Sequence, residues 1–103
     1  MFNKKAPLKA SQDFYEKYDL LGNDVVLHCN ISGRPVPTYE WHFEKTKLKT
    51  DFFKYNVYPG MLLVKRFEYA DIGNYTCTAT SVAHEKEGGK PIVVRISLKK
   101  ASN

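Results

Sequence analysis

The stretch DIGNYTC, residues 71–77, brings a turn-forming aspartate, a glycine, a tyrosine and a cysteine close together. Tyr75 and Cys77 are two positions apart, so on a strand their side chains share one face. Gly73 permits a tight turn ahead of that strand. Within the same stretch, Asn74-Tyr75-Thr76 is an acceptor sequence for N-linked sugar. The stretch therefore predicts a corner that leads into a half-buried strand with Asn74 facing outward.

Apolar residues alternate with polar ones in several other segments, which is typical of half-buried β-strands. No segment keeps a helical period over ten residues, and turn-forming residues recur roughly every 8 to 12 positions. The chain is therefore predicted to be all-β, either a sandwich or a barrel. The expected inward sets are Val25, Leu27, Cys29 and Ile31; Tyr39, Trp41 and Phe43; Phe53, Tyr55 and Val57; Leu62 and Val64; Tyr75, Cys77 and Ala79; and Ile92, Val94, Ile96 and Leu98.

The composition of the 103-residue chain fits one globular domain, with 43% hydrophobic residues and a net charge of +5. The basic excess would suit an anionic partner, but it is modest and its lysines are scattered, so a solvated surface is the preferred explanation. No apolar run approaches about 18 residues, so direct membrane insertion by this segment is not expected. The first residues lack the apolar region of a signal peptide, which indicates either a cytosolic protein or a domain excised from a longer one.

Cys29 and Cys77 fall on the inward positions of two different predicted strands, and Trp41 lies on the inward side of a third. Two facing sheets would bring these three side chains together. A disulfide closing a loop of about 49 residues would stabilise the fold by roughly 4 kcal/mol in the chain-entropy model. The indole of Trp41 would then shield the bridge from water.

These residues, taken in order, resemble the immunoglobulin superfamily, and specifically its intermediate set (I-set), from about Pro7 to Leu98. The resemblance implies a two-sheet antiparallel Greek-key β-sandwich over residues 7–99, with 1–6 as a tail or as residues added for expression and 100–103 as a second tail. The segment VAHEKEGGK is longer than the tight hairpin of that set. The matching pieces are Gly22, Val25, Leu27 and Cys29; Gly33-x-Pro35-x-Pro37-x-x-x-Trp41; Leu62, Val64 and Phe67; and Asp71-x-Gly73-x-Tyr75-x-Cys77-x-Ala79.

The family resemblance also assigns structural roles to the opening stretch. It implies a tyrosine corner, in which the Tyr75 hydroxyl binds a backbone carbonyl just upstream, near Asp71, while Gly73 accommodates the turn. For these residues the structural role is preferred over any binding or catalytic site.

Catalytic and cofactor chemistry is not indicated by the sequence. His28 and His42 are expected on outward positions of opposite sheets and His84 on a distant loop, so they would not share a metal. No glycine-rich loop opens a helix for a phosphate. Most aromatic residues, Phe53 among them, are assigned to the core, which leaves few for stacking on bases. We therefore expect no enzyme, no cofactor, no metal and no nucleic-acid partner.

The acceptor sequences at Asn30 and Asn74 are both expected to face water, because each asparagine alternates with inward neighbours. Together with a cysteine pair and no third cysteine, they favour an oxidising, secretory compartment. Two incidental surface asparagines remain the simpler alternative. If sugars are attached, we expect them near the ends of the sheets, leaving the middle of both faces free.

Two candidate binding surfaces follow from the outward positions. Val26 and Leu63 are expected to be neighbours in a small apolar spot, although single exposed apolar residues are common. A basic patch for sulfated polysaccharide is the second candidate; it consists of Lys45, Lys47 and Lys49, joined by Arg34 or Arg95.

Three functions are compatible with this pattern. The first is an extracellular adhesion or receptor domain, one of several in tandem, that binds a protein homophilically or heterophilically. The second is an intracellular structural domain like those of titin-like muscle proteins, with free thiols and unused acceptor asparagines. The third is a module that binds heparan sulfate.

Overall fold

The computed structural model describes residues 6–102, and this part of the chain is built from strands. Two short helical turns interrupt them, a 3₁₀ turn at Tyr69–Asp71 and helix α1 at Val82–Lys86. The strands are β1 (Ala6–Ala10), β2 (Phe14–Asp19), β3 (Val25–His28), β4 (Ile31–Arg34), β5 (Thr38–Phe43), β6 (Thr46–Lys47), β7 (Tyr55–Tyr58), β8 (Met61–Val64), β9 (Gly73–Thr80) and β10 (Ile92–Lys100).

The strands form two facing sheets and a separate two-stranded sheet. The five-stranded sheet has the order β2-β10-β9-β5-β6, and the three-stranded sheet has the order β3-β8-β7. A short ladder joins β1 to β4, which continues from β3 after a bend. All pairs are antiparallel except β2 and β10, which run parallel. The predicted all-β sandwich is confirmed, with this one parallel pair as an addition.

The core lies between the two sheets and follows the alternation in the sequence. Inward residues of β3 and β8 pack against inward residues of β5, β9 and β10. Leu48, just after β6, is also buried in this core. Its most buried large side chains are Trp41, Tyr75, Phe67, Leu27, Leu62, Ile96 and Leu98.

The prediction that Phe53 is buried is wrong. Its side chain is 74% exposed. The cause is Asp51, whose Oδ1 accepts hydrogen bonds from the backbone N–H groups of Phe53, Lys54 and Tyr55 at 2.8, 2.5 and 3.2 Å. This Asx turn interrupts the extended backbone, so β7 begins only at Tyr55.

The connection between β9 and β10 contains the short helix α1. The Ser81 side chain caps this helix by accepting a 3.1 Å hydrogen bond from the backbone N–H of His84. At the chain ends, β1 begins at Ala6 and β10 ends at Lys100. Each strand thus extends one residue beyond the predicted domain of 7–99, and the rest of the predicted N-terminal tail lies outside the described residues.

Candidate functional site

The two sheets are joined by a disulfide between Cys29 and Cys77, whose Cα atoms lie 6.3 Å apart. Trp41 on β5 is directly opposite Cys77 on β9. All three side chains are buried. The indole Nε1 has no hydrogen-bond partner among the described residues, so Trp41 serves as an apolar cover here.

The corner before β9 is held by Tyr75. Its hydroxyl donates a 2.7 Å hydrogen bond to the carbonyl oxygen of Asp71. Its ring stacks on Phe43 with 4.5 Å between the centroids. Burial raises the pKa of the Tyr75 phenol far above its usual value, so the hydroxyl stays a donor.

Lys54 ties the loop before β7 to this corner, a role that sequence reasoning missed. Its ammonium donates to Asp71 Oδ2 at 2.8 Å and to Glu68 Oε2 at 3.0 Å. It also contacts the carbonyl oxygens of Lys65 and Arg66 at 3.0 and 3.2 Å. Partial burial alone would lower the pKa of Lys54, but the two carboxylates raise it. The residues that Lys54 contacts lie 11 to 17 positions away in the sequence, so no local sequence pattern predicts these contacts.

The outward face of the five-stranded sheet carries a polar row across four strands. The register places Arg95 opposite Thr76, Thr76 opposite His42, and His42 opposite Lys47. Glu40 on β5 lies 3.6 Å from the Lys47 ammonium and 3.9 Å from His42 Nε2. This arrangement, called the cationic row below, offers two permanent cations separated by hydrogen-bonding side chains.

The structure separates Arg34 from the other residues of the predicted basic patch. Arg34 ends β4 and borders a shallow cavity with Ala83 and His84, at the end of the domain that holds α1. Lys45 follows the other end of β5, where Phe43 pairs with Thr46. The length of β5 therefore lies between them, and Arg95 is the arginine that shares a face with Lys47.

Val26 and Leu63 are cross-strand partners on the outward face of the three-stranded sheet. Both are half-buried. The next row along this face consists of His28, Met61 and Tyr58. The apolar spot is thus small and continues into a mixed surface.

Both acceptor asparagines have exposed side chains. Asn30 lies in the bend between β3 and β4. Asn74 on β9 is paired with Ser97, and its backbone N–H donates a 2.8 Å hydrogen bond to Glu44 Oε2. Asn74 faces the same side as Thr76, and two positions on a strand are only about 6.8 Å apart. A sugar on Asn74 would therefore lie beside the cationic row. The sequence had instead predicted that sugars would leave the middle of this sheet face free.

The three histidines lie apart. His28 is on β3 and His42 on β5, in different sheets, and His84 Nε2 lies 2.8 Å from the carbonyl oxygen of Lys90. Over residues 6–102, no group of three or more His, Cys, Asp or Glu is placed to hold a metal ion. Over the same residues, no helix has the length and apolar character needed to cross a membrane.

A two-sheet sandwich with a disulfide between the sheets, a tryptophan against it and a tyrosine corner defines an immunoglobulin-like domain. The family model described as "Immunoglobulin domain" matches residues 16–81, and the chain belongs to this family. The prediction of an immunoglobulin-like domain is confirmed.

The chain spans only a small part of the length of the relatives it matches. It is 37% identical over 82 residues to Peroxidasin homolog pxn-2 of Caenorhabditis elegans, covering 78% of this chain and 6% of that protein. It is 30% identical over 73 residues to Netrin receptor DCC of Homo sapiens, covering 68% and 5%. The I-band fragment I67-I69 from titin matches the fold at a TM-score of 0.79 and 24% identity, covering 95% and 34%.

Proposed function

We propose that this chain is an extracellular I-set immunoglobulin domain that recognises a protein partner through its sheet faces and performs no chemistry of its own. The assignment to the I-set is supported by the two-residue β6, after which the described chain passes to β7 without the extra hairpin of a variable domain. The similarity to a protein named as a receptor supports the recognition role.

The observation that carries this proposal is the Cys29–Cys77 disulfide combined with two exposed acceptor asparagines. Disulfides form and persist in secretory compartments, where N-linked sugars are also added. Burial of either asparagine would have argued against this compartment.

The alternative is an intracellular structural domain. The similarity in fold to titin domains is compatible with it. In a reducing compartment, Cys29 and Cys77 would remain thiols and neither asparagine would carry sugar.

Intact-mass measurement of the protein secreted by eukaryotic cells distinguishes these two functions. We expect a mass excess that deglycosylation removes and two further protons on reduction. Thr76→Ala and Ser32→Ala each abolish one acceptor sequence while keeping its asparagine, so they assign the sugar to Asn74 or Asn30. A secreted domain without sugar and with two free thiols would refute the extracellular proposal.

A second candidate function, binding of heparan sulfate, is favoured by the cationic row. Sulfate groups of a chain lying across the strands would meet Arg95 and Lys47 in turn. Retention on heparin at physiological salt, weakened by Arg95→Ala and Lys47→Ala but not by Arg34→Ala at the other end of β5, would support it. Elution at low salt regardless of these variants would exclude it.

A further inference from the structure

Strand β2 ends the five-stranded sheet and, within the described residues, has a neighbouring strand on one side only, β10. The backbone N–H of Arg95 donates a 2.9 Å hydrogen bond to the carbonyl oxygen of Asp13, just before β2. The backbone N–H of Ala101 donates a 2.7 Å hydrogen bond to the carbonyl oxygen of Asp19, the last residue of β2. Because successive residues of a strand point their backbone groups to opposite sides, the odd-numbered residues of β2 face β10.

The even-numbered residues of β2 therefore point their backbone N–H and C=O groups away from the sheet. These residues are Phe14, Glu16 and Tyr18, and we call them the free edge. An extended strand with unpaired backbone groups is a template for pairing with another strand.

The other edges of the two facing sheets are shorter or already occupied. Strand β6 contains two residues. On β7, the outer backbone groups of Tyr55 and Val57 are bonded to residues 50 and 51. On β3, the Tyr15 hydroxyl donates to the His28 carbonyl oxygen at 2.6 Å and accepts from the His28 N–H at 2.9 Å. Among the described residues of these two sheets, β2 thus presents the longest open edge.

The side chains of the free edge share the outward face of the sheet and fit a second copy of the same strand. Phe14 and Tyr18 are each 53% exposed. In antiparallel pairing centred on Glu16, Phe14 of one copy lies beside Tyr18 of the other. All three residues of the free edge then form hydrogen-bonded pairs, with about six backbone hydrogen bonds. A register shifted by two residues would pair Phe14 or Tyr18 with a residue outside β2.

We propose that two copies of this chain associate through antiparallel pairing of their β2 strands, which joins the two five-stranded sheets edge to edge. The pair of Phe14 and Tyr18 occurs twice in this arrangement, and each ring covers the other from water. The two Glu16 carboxylates face one another, but each is already bonded to the Lys99 ammonium of its own copy. The pairing follows a two-fold axis and occupies both free edges, so it stops at a dimer.

Edge pairing leaves both sheet faces exposed, so it is separate from the face contacts of the proposed function. The register places Glu16 beside Ser97 and Ser97 beside Asn74. A sugar on Asn74 would therefore lie two strands, or about 10 Å, from the free edge. The contact is narrower than the roughly 800 Å² per partner of a stable interface, so we expect a weak dimer with a dissociation constant of about 0.1 mM.

Sedimentation equilibrium of the 103-residue protein from about 10 µM to 1 mM tests for this dimer. Glu16→Pro and Glu16→Ala form a matched pair of variants. Proline removes the outward N–H of residue 16 without removing a hydrogen bond to β10, whereas alanine keeps that N–H. We expect Glu16→Pro to weaken dimerisation roughly tenfold or more, and Glu16→Ala to dimerise at least as well as the parent protein.

The aromatic pairs are tested with a second set of variants. Phe14→Ser/Tyr18→Ser should weaken dimerisation roughly tenfold. Val36→Ser/Val82→Ser is the control, because these side chains are 79% and 67% exposed and lie in other segments. Thermal unfolding checks that each variant is folded.

Amide hydrogen exchange shows which backbone groups the dimer uses. The amides of Glu16 and Tyr18 should exchange rapidly in dilute protein and become protected at high concentration. Those of Tyr15 and Lys17, which face β10, should be protected at both concentrations.

A protein that stays monomeric throughout this range would overturn the proposal and leave the free edge to an extended segment of another protein. A dimer that Glu16→Pro does not weaken, or in which the Glu16 and Tyr18 amides still exchange rapidly, would overturn it by indicating another surface. Loss of the dimer in Glu16→Ala would also overturn it, because the Glu16 side chain and not the backbone would then carry the association. None of these outcomes would affect the proposed extracellular function, which the mass measurement tests.

Discussion

The Tyr75 hydroxyl and the Asp71 carbonyl oxygen are 2.7 Å apart, so one side chain fastens the start of β9 to the turn that precedes it. Tyr75→Phe keeps the ring, its stacking on Phe43 and its burial, but leaves the carbonyl without this donor. We expect a loss of about 1–2 kcal/mol in the free energy of unfolding, measured by chemical denaturation. Tyr39→Phe is the control, because the Tyr39 hydroxyl is 3.4 Å from its acceptor and should matter less.

Alkaline pH should destabilise the domain. Burial raises the pKa of the Tyr15, Tyr55 and Tyr75 phenols in the folded state. Between about pH 9 and pH 11 the unfolded chain releases phenolic protons near pH 10 while the folded chain retains them. The unfolded state then binds fewer protons, so the free energy of unfolding falls as pH rises.

Denaturation midpoints measured across that range check the prediction. Tyr75→Phe removes one of the three groups, so its stability should fall less steeply with pH than that of the parent protein. A free energy of unfolding that stays constant up to pH 11 would contradict the prediction. So would a pH dependence that Tyr75→Phe leaves unchanged, because Tyr75 would then not contribute to it.

Removing Lys54 from its ion pair with Asp71 should destabilise the domain. Lys54→Met removes the ammonium and leaves the Asp71 carboxylate, whose side chain is 5% exposed, without its cation. We expect a loss of about 2–3 kcal/mol, because an uncompensated buried charge is costly.

A double-mutant cycle separates this pair from the other contacts of Lys54. Lys54→Met in the Asp71→Asn background should cost clearly less than in the parent protein. Equal costs in the two backgrounds would mean that Glu68 and the carbonyl oxygens of Lys65 and Arg66, and not Asp71, account for the effect.

Much of the sandwich could be predicted because the alternation of apolar and polar residues along each strand indicates which side chains are buried. Val25, Leu27 and Cys29 alternate into the core as the sequence indicated, and the Tyr75–Cys77 spacing marked the corner. The Asx turn at Asp51 was missed, although an aspartate ahead of a strand is a known turn signal. It shifts Phe53 out of the expected inward set.

The binding surfaces were less predictable because they depend on strand order and register. That Arg95 shares a row with Lys47 requires three pairings across β10, β9, β5 and β6. Nothing in the local sequence distinguishes Arg95 from Arg34 as the partner of the lysines. Lys54 illustrates the same point, since its four acceptors come from residues brought close only by folding.

Gly73→Ala should destabilise the corner through a direct clash. Gly73 has a φ of +154°, and an added Cβ would lie 2.6 Å from Glu44 Oε2 and 2.8 Å from the Phe43 ring. Glu44 can swing away only by giving up the hydrogen bond that its Oε2 accepts from the Asn74 N–H, and Phe43 is stacked on Tyr75 and cannot move freely. We expect a loss of about 1–3 kcal/mol in the free energy of unfolding.

Gly22→Ala is the control for backbone strain, because its φ is also positive, at +92°, and an added Cβ there meets nothing within 4 Å. If both variants lose the same stability, backbone strain alone explains the effect. A larger loss for Gly73→Ala shows that the contacts of the added Cβ with Phe43 and Glu44 destabilise the corner.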